Sequence, residues 1–68
     1  MKATINGIEK SFDDSISIVG LLEIEDVESP DMVAVQVNGT ILDRSEFSTT
    51  HLKNGDAVEF LYFMGGGA

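Results

Sequence analysis

Three Asn-Gly dipeptides, at 6–7, 38–39 and 54–55, punctuate the chain and set what it can fold into. Both residue types tolerate positive φ, which a tight reversal between antiparallel strands demands. Ahead of the first pair, Ala3 and Ile5 alternate with Lys2, Thr4 and Asn6, the period-two pattern of a strand. Glu9 to Phe12 is the expected return strand, ended by Asp13 and Asp14. Ahead of the second pair, Val33, Val35 and Val37 alternate with Ala34 and Gln36, and Ile41 and Leu42 follow the turn. Asn54-Gly55-Asp56 is a third turn. It leads into Ala57 to Met64, an apolar run suited to the middle of a sheet.

One segment has helical spacing instead. Ser17 is placed to cap a helix, because its hydroxyl can accept from a free N–H of the first turn. Ile18, Leu21 and Leu22 then form an apolar stripe. Gly20 weakens that helix by about 1 kcal/mol relative to Ala, so it either admits a strand passing close or is neutral. Glu23, Glu25, Asp26 and Glu28 put negative charge at the end where the dipole disfavours it, which predicts an early helix end before the loop at Pro30. Arg44 to Leu52 has no clear period, although Ser45 to Phe47 reads as one helical turn. The order strand, strand, helix, strand, short strand, strand implies an α+β fold. The economical arrangement is a β-grasp, a mixed sheet of four to five strands packed on one main helix. The domain spans 1–64, and 65–68 forms a flexible glycine-rich tail.

Sixty-eight residues, 43% of them apolar, allow one thin core and leave too few residues to wall a large cleft. With no cysteine there is no disulfide, thiolate metal site or thiol nucleophile, which fits a cytoplasmic setting. No basic-then-apolar leader follows Met1, and no apolar run approaches membrane-spanning length. A net charge of −8 makes nucleic acid and anionic membrane poor partners and favours a basic docking surface; the same acidity also keeps a small domain soluble. The single histidine, His51, falls in a loop with no thiol or motif-placed serine beside it and reads as a surface residue. The carboxylates lack the spacing of a calcium loop, and Gly65 to Gly67 open no helix and so form no phosphate-binding fingerprint. No catalytic residue, bound cofactor or metal is expected.

What remains is the tail Gly65-Gly66-Gly67-Ala68. Glycines there contribute no side-chain contacts and lose backbone entropy if ordered. They make a thin arm on a rigid body, able to thread a channel that any side chain would block. Chemistry at the end of such an arm is chemistry at a carboxyl group, activated as an acyl-adenylate by a partner enzyme that uses ATP. From the tail alone, a plain flexible linker reads the same way.

Strand order, acidic balance, Asn54-Gly55-Asp56 before the last strand, and an apolar strand running into Gly66-Gly67 resemble the ubiquitin-like sulfur carriers of the ThiS and MoaD type. Ser17-Ile18 followed by Leu21-Leu22, with Asn38-Gly39, is similar to the shorter, thiamine-type branch. The resemblance covers nearly the whole chain. It implies a protein cosubstrate rather than an enzyme. Gly67 would be adenylated by an E1-like enzyme and converted to a thiocarboxylate, which donates sulfur to a thiazole synthase. Gly65 and Gly66 would thread the partner's channel. Leu61, Phe63 and Met64 would dock, since Val58, Phe60 and Tyr62 suffice for the face against the helix; otherwise Leu61 and Phe63 lie under a loop in a two-sided core. Family members usually end on the diglycine, whereas Ala68 follows it here. That departure raises a carrier for an amino-acid synthase of the cysteine or methionine type, with a JAMM-type protease removing Ala68. A ubiquitin-like modifier forming an amide with a lysine is the further alternative.

Overall fold

A computed structural model describes residues 1–27 and 32–62. Strands β1 (Lys2–Ile5) and β2 (Ile8–Ser11) come first, then helix α1 (Ile18–Ile24), strands β3 (Val33–Val37) and β4 (Thr40–Ile41), a 3-10 turn at Arg44–Glu46, and strand β5 (Ala57–Tyr62). The sheet order is β2-β1-β5-β3-β4, with β5 parallel to β1 and the remaining pairs antiparallel. The β-grasp expectation is borne out, with five strands and with the apolar last strand at the centre.

The first two Asn-Gly pairs act as read. Asn6 and Gly7 sit at φ 51° and 85°, and Asn38 and Gly39 at 51° and 86°. Two successive positive φ values give the primed turn whose twist matches its strands, so Ile5 faces Ile8 and Val37 faces Thr40. Asn54-Gly55 does a different job, because it joins no hairpin. The Gly55 N–H donates to the Lys2 carbonyl at 2.7 Å and the Lys2 N–H to Asn54 Oδ1 at 2.8 Å, which staples the turn to the start of β1.

α1 begins at Ser17, whose Oγ accepts the Gly20 N–H at 3.1 Å. It ends after seven residues, as the acidic run predicts, in a Schellman arrangement. Asp26 takes φ 54°, its N–H donates to the Glu23 carbonyl, and the Val27 N–H donates to the Leu22 carbonyl. Lys10 on β2 meets Glu25 at 2.7 Å and offsets charge at that end. Among the described residues no strand crowds Gly20. A methyl there would meet the Ile16 side chain at 3.3 Å and Ser17 Oγ at 3.4 Å, so the capping turn itself crowds the position. Pro30 lies outside the described residues.

Alternation in three strands and the helical stripe build one core. Ala3, Ile5, Val33, Val35, Val58 and Phe60 face Ile18, Leu21 and Leu22, and all are buried. Phe47 and Leu52, from the aperiodic stretch, close its side. The 3-10 turn covers Arg44–Glu46, one residue earlier than Ser45 to Phe47, and Phe47 follows it as the capping residue. Backbone bonds from Ile18 to Thr50, Val19 to Phe47 and Leu52 to Ile16 tie this stretch to the helix start.

Candidate functional site

β5 carries the tail, so the surroundings of its end decide how the tail is presented. At its start it is fixed from three sides. Asp56 accepts the Asn38 amide on Oδ1 at 2.9 Å and the Lys53 N–H on Oδ2 at 2.8 Å, while its carbonyl accepts the Thr4 N–H at 2.9 Å. Asn38 Oδ1 in turn accepts the Ala57 N–H at 2.9 Å. One carboxylate and one amide thus join the Asn38-Gly39 and Asn54-Gly55 turns. Sequence patterning misses this pairing, because each turn is explained locally without it.

Along its length β5 loses one neighbour. β1 pairs with it through Thr4 opposite Ala57 and Ile5 opposite Val58. Asn6 then turns into the hairpin, but its Oδ1 accepts the Phe60 N–H at 2.9 Å and prolongs the ladder by one rung. Among the described residues, Leu61 and Tyr62 pair only with β3, opposite Ala34 and Val33.

That missing neighbour corrects one expectation. Tyr62 was expected on the covered inner face with Val58 and Phe60, and it is 49% exposed. It occupies the last described rung, past the point where β1 has left, so among the described residues no strand flanks it on that side. Leu61 points to the opposite face and is 38% exposed. Ala34 lies directly across from it, and Ile41 lies one strand further over, opposite Gln36, at 59% exposure. Leu61, Ala34 and Ile41 therefore put apolar surface on the side of the sheet away from α1. Ile41 was not singled out from sequence, yet the two-residue turn fixes it opposite the outward-facing Gln36. Phe63, Met64, Gly65, Gly66, Gly67 and Ala68 lie outside the described residues.

Other chemistry is sparse. His51 is exposed and its backbone bridges Ser17. Among the described residues no three His, Cys, Asp or Glu side chains gather where they could hold a metal ion. Within the same residues no helix is long and apolar enough to cross a membrane.

Comparison with known proteins joins these features. A family model, the ThiS family, matches residues 3–67. The crystal structure of a thiamine biosynthesis protein (ThiS) from Geobacter metallireducens is 44% identical, with a TM-score of 0.88 over 97% of this chain and 99% of that one. The solution structure of a thiamine biosynthesis protein from the same organism, also 44% identical, gives 0.78 over 100% of this chain and 90% of that one. A thiazole synthase from Paramagnetospirillum magneticum is 37% identical across all 68 residues. This chain spans only 21% of that synthase.

Proposed function

The chain belongs to the ThiS family, and from that premise we propose that it is a sulfur-carrier protein in thiamine biosynthesis, working through the carboxyl group of Gly67. The observation that carries the reading is the span of the family match, which runs through the glycine arm and stops at Gly67. In the proposed cycle a carboxylate oxygen of Gly67 attacks the α-phosphorus of ATP on an E1-like enzyme and pyrophosphate leaves. The terminal sulfur of a persulfide donor then displaces AMP from the acyl-adenylate to give an acyl disulfide. A thiol attacks the donor-side sulfur of that S–S bond, forming a disulfide with the donor and releasing the thiocarboxylate. The domain supplies no acid or base. It supplies a rigid post, an arm without side chains and a docking face made of Leu61, Phe63 and Met64, which Ile41 extends.

The acceptor is proposed to be a thiazole synthase. A protein of that name contains a stretch resembling the whole of this chain, which supports carrier and synthase acting on one another. Ala68 follows Gly67, so on this reading the bond between them is cut first, a step suited to a JAMM-type protease. The same residue favours, as the second reading, delivery to an amino-acid synthase.

Intact mass spectrometry tests the proposal. The chain and a version ending at Gly67 are incubated with ATP, the adenylating enzyme and a sulfur donor. Mass should rise by the difference between sulfur and oxygen only when Gly67 is terminal. No change in either version sinks the carrier reading. Retained activation in Gly66→Ala would remove the threading argument.

A further inference from the structure

A groove of about 480 Å³ opens on the side of the sheet opposite Leu61 and Ile41, between α1 and the Arg44–Phe47 stretch. Val19, Leu22, Val27 and Phe47 line it together with Arg44, with Glu23 from α1 and Asp26 from just past its end. Its walls are fixed to each other. The Val19 N–H donates to the Phe47 carbonyl at 3.1 Å, and the Arg44 guanidinium donates to the Val33 carbonyl at 3.0 Å and stands 5.8 Å from the centroid of the Phe47 ring. Binding here would therefore need little ordering of the groove itself. Val19 is 40% exposed at its mouth, apolar surface that the fold leaves uncovered.

Charge decides what fits. Arg44 already has its guanidinium engaged in the wall, whereas Glu23 and Asp26 are exposed carboxylates on a chain of net charge −8. We propose that this groove is a second protein-docking site, taking an aliphatic side chain flanked by lysine or arginine from a partner. The aliphatic group would fill the space over Leu22 and Phe47, and the cation would face Glu23 and Asp26. Because the groove and Leu61 lie on opposite sides of the sheet, one partner can hold the domain here while the Leu61 side stays free for another. The inference does not depend on sulfur chemistry and is tested without it.

The probe is an acetylated, amidated Lys-Leu-Leu-Lys-Lys peptide, titrated into the ¹⁵N-labelled full chain and followed by amide shifts. Shifts should centre on Val19, Glu23, Asp26, Val27 and Phe47, and should weaken as salt is raised. Val19→Glu should abolish them. Glu23→Gln, at an exposed position that leaves the fold intact, should weaken binding about two- to fivefold, the size expected for one exposed charge pair. Three results would overturn the proposal. One is shifts confined to Leu61 and Ile41, or none at all. Another is equal binding of a peptide with glutamates in place of the lysines. The third is a change at the groove on truncating the free chain at Tyr62 or on raising its concentration, which would mean that its own tail or a second copy is the occupant.

Discussion

Replacing Asn6 tests how firmly the root of the tail is held. The residue does two separable things. Its backbone takes φ 51° in the hairpin, and its Oδ1 accepts the Phe60 N–H at 2.9 Å in a half-buried position. Asn6→Gly keeps the conformation and removes the acceptor. A lost hydrogen bond of this kind costs about 0.5–1.5 kcal/mol, and the freer unfolded chain adds about 0.5–1 kcal/mol, so the expected loss is roughly 1–2.5 kcal/mol. Asn6→Ala loses the same acceptor without glycine's added chain freedom, and costs up to about 1–2 kcal/mol further because alanine lacks the local side-chain hydrogen bonding by which asparagine tolerates the left-handed region. Asn6→Asp keeps an acceptor and should stay within about 0.5 kcal/mol of the parent. Domains this size hold only about 0.05–0.15 kcal/mol per residue, so the alanine variant should lose a large part of its stability. Urea unfolding followed by circular dichroism measures the loss, and amide exchange at Phe60 locates it. With a slope of about 1 kcal/mol/M, the glycine midpoint should fall by roughly 1–2.5 M while Phe60 exchanges faster. If Asn6→Gly unfolds with the parent and Phe60 exchange is unchanged, the amide does not extend the ladder and the reasoning fails.

Three further outcomes follow from the same geometry. Leu21 is fully buried between α1 and the sheet, so Leu21→Ala should cost about 2–5 kcal/mol and leave a substantial unfolded population by circular dichroism at 25 °C. Ser17→Ala removes the cap on the Gly20 N–H and should cost about 0.5–2 kcal/mol in urea unfolding, with Ser17→Asp recovering most of it. Leu61→Lys should change stability by less than about 0.5 kcal/mol, because its outward face is open, while weakening capture by the adenylating enzyme in a pull-down; an unfolded Leu61→Lys would show that the side chain belongs to the core.

Sequence revealed most where structure is local. The Asn-Gly pairs at 6–7 and 38–39 dictate their own turns, and two-residue turns fix register, so Ala3, Ile5, Val33 and Val35 fall on one buried face from alternation alone. Ser17 and the acidic helix end are equally local signals. Phe47 and Leu52 were not legible as core, because neither belongs to a periodic run and their burial depends on backbone bonds to residues 16–19. Tyr62 misled for a related reason. Alternation assigns it a face, but whether that face is covered depends on how far a strand from the other end of the chain runs beside it. The groove over Leu22 and Phe47 is likewise invisible in sequence, because its two walls come from segments with unrelated patterns. The tail, in contrast, was a reading of composition at Gly65 to Gly67, and the family match extends through those residues.

The last described rung, Tyr62 opposite Val33, also works as a ruler. Gly67 lies five residues beyond Tyr62. At no more than about 3.3–3.6 Å per residue, Gly67 can reach roughly 17–18 Å from that rung. Any enzyme acting on Gly67 while the sheet stays folded must bring its reacting atoms within that radius. An insertion in the arm would lengthen its reach, and a deletion would take Gly67 short of a centre placed at its limit.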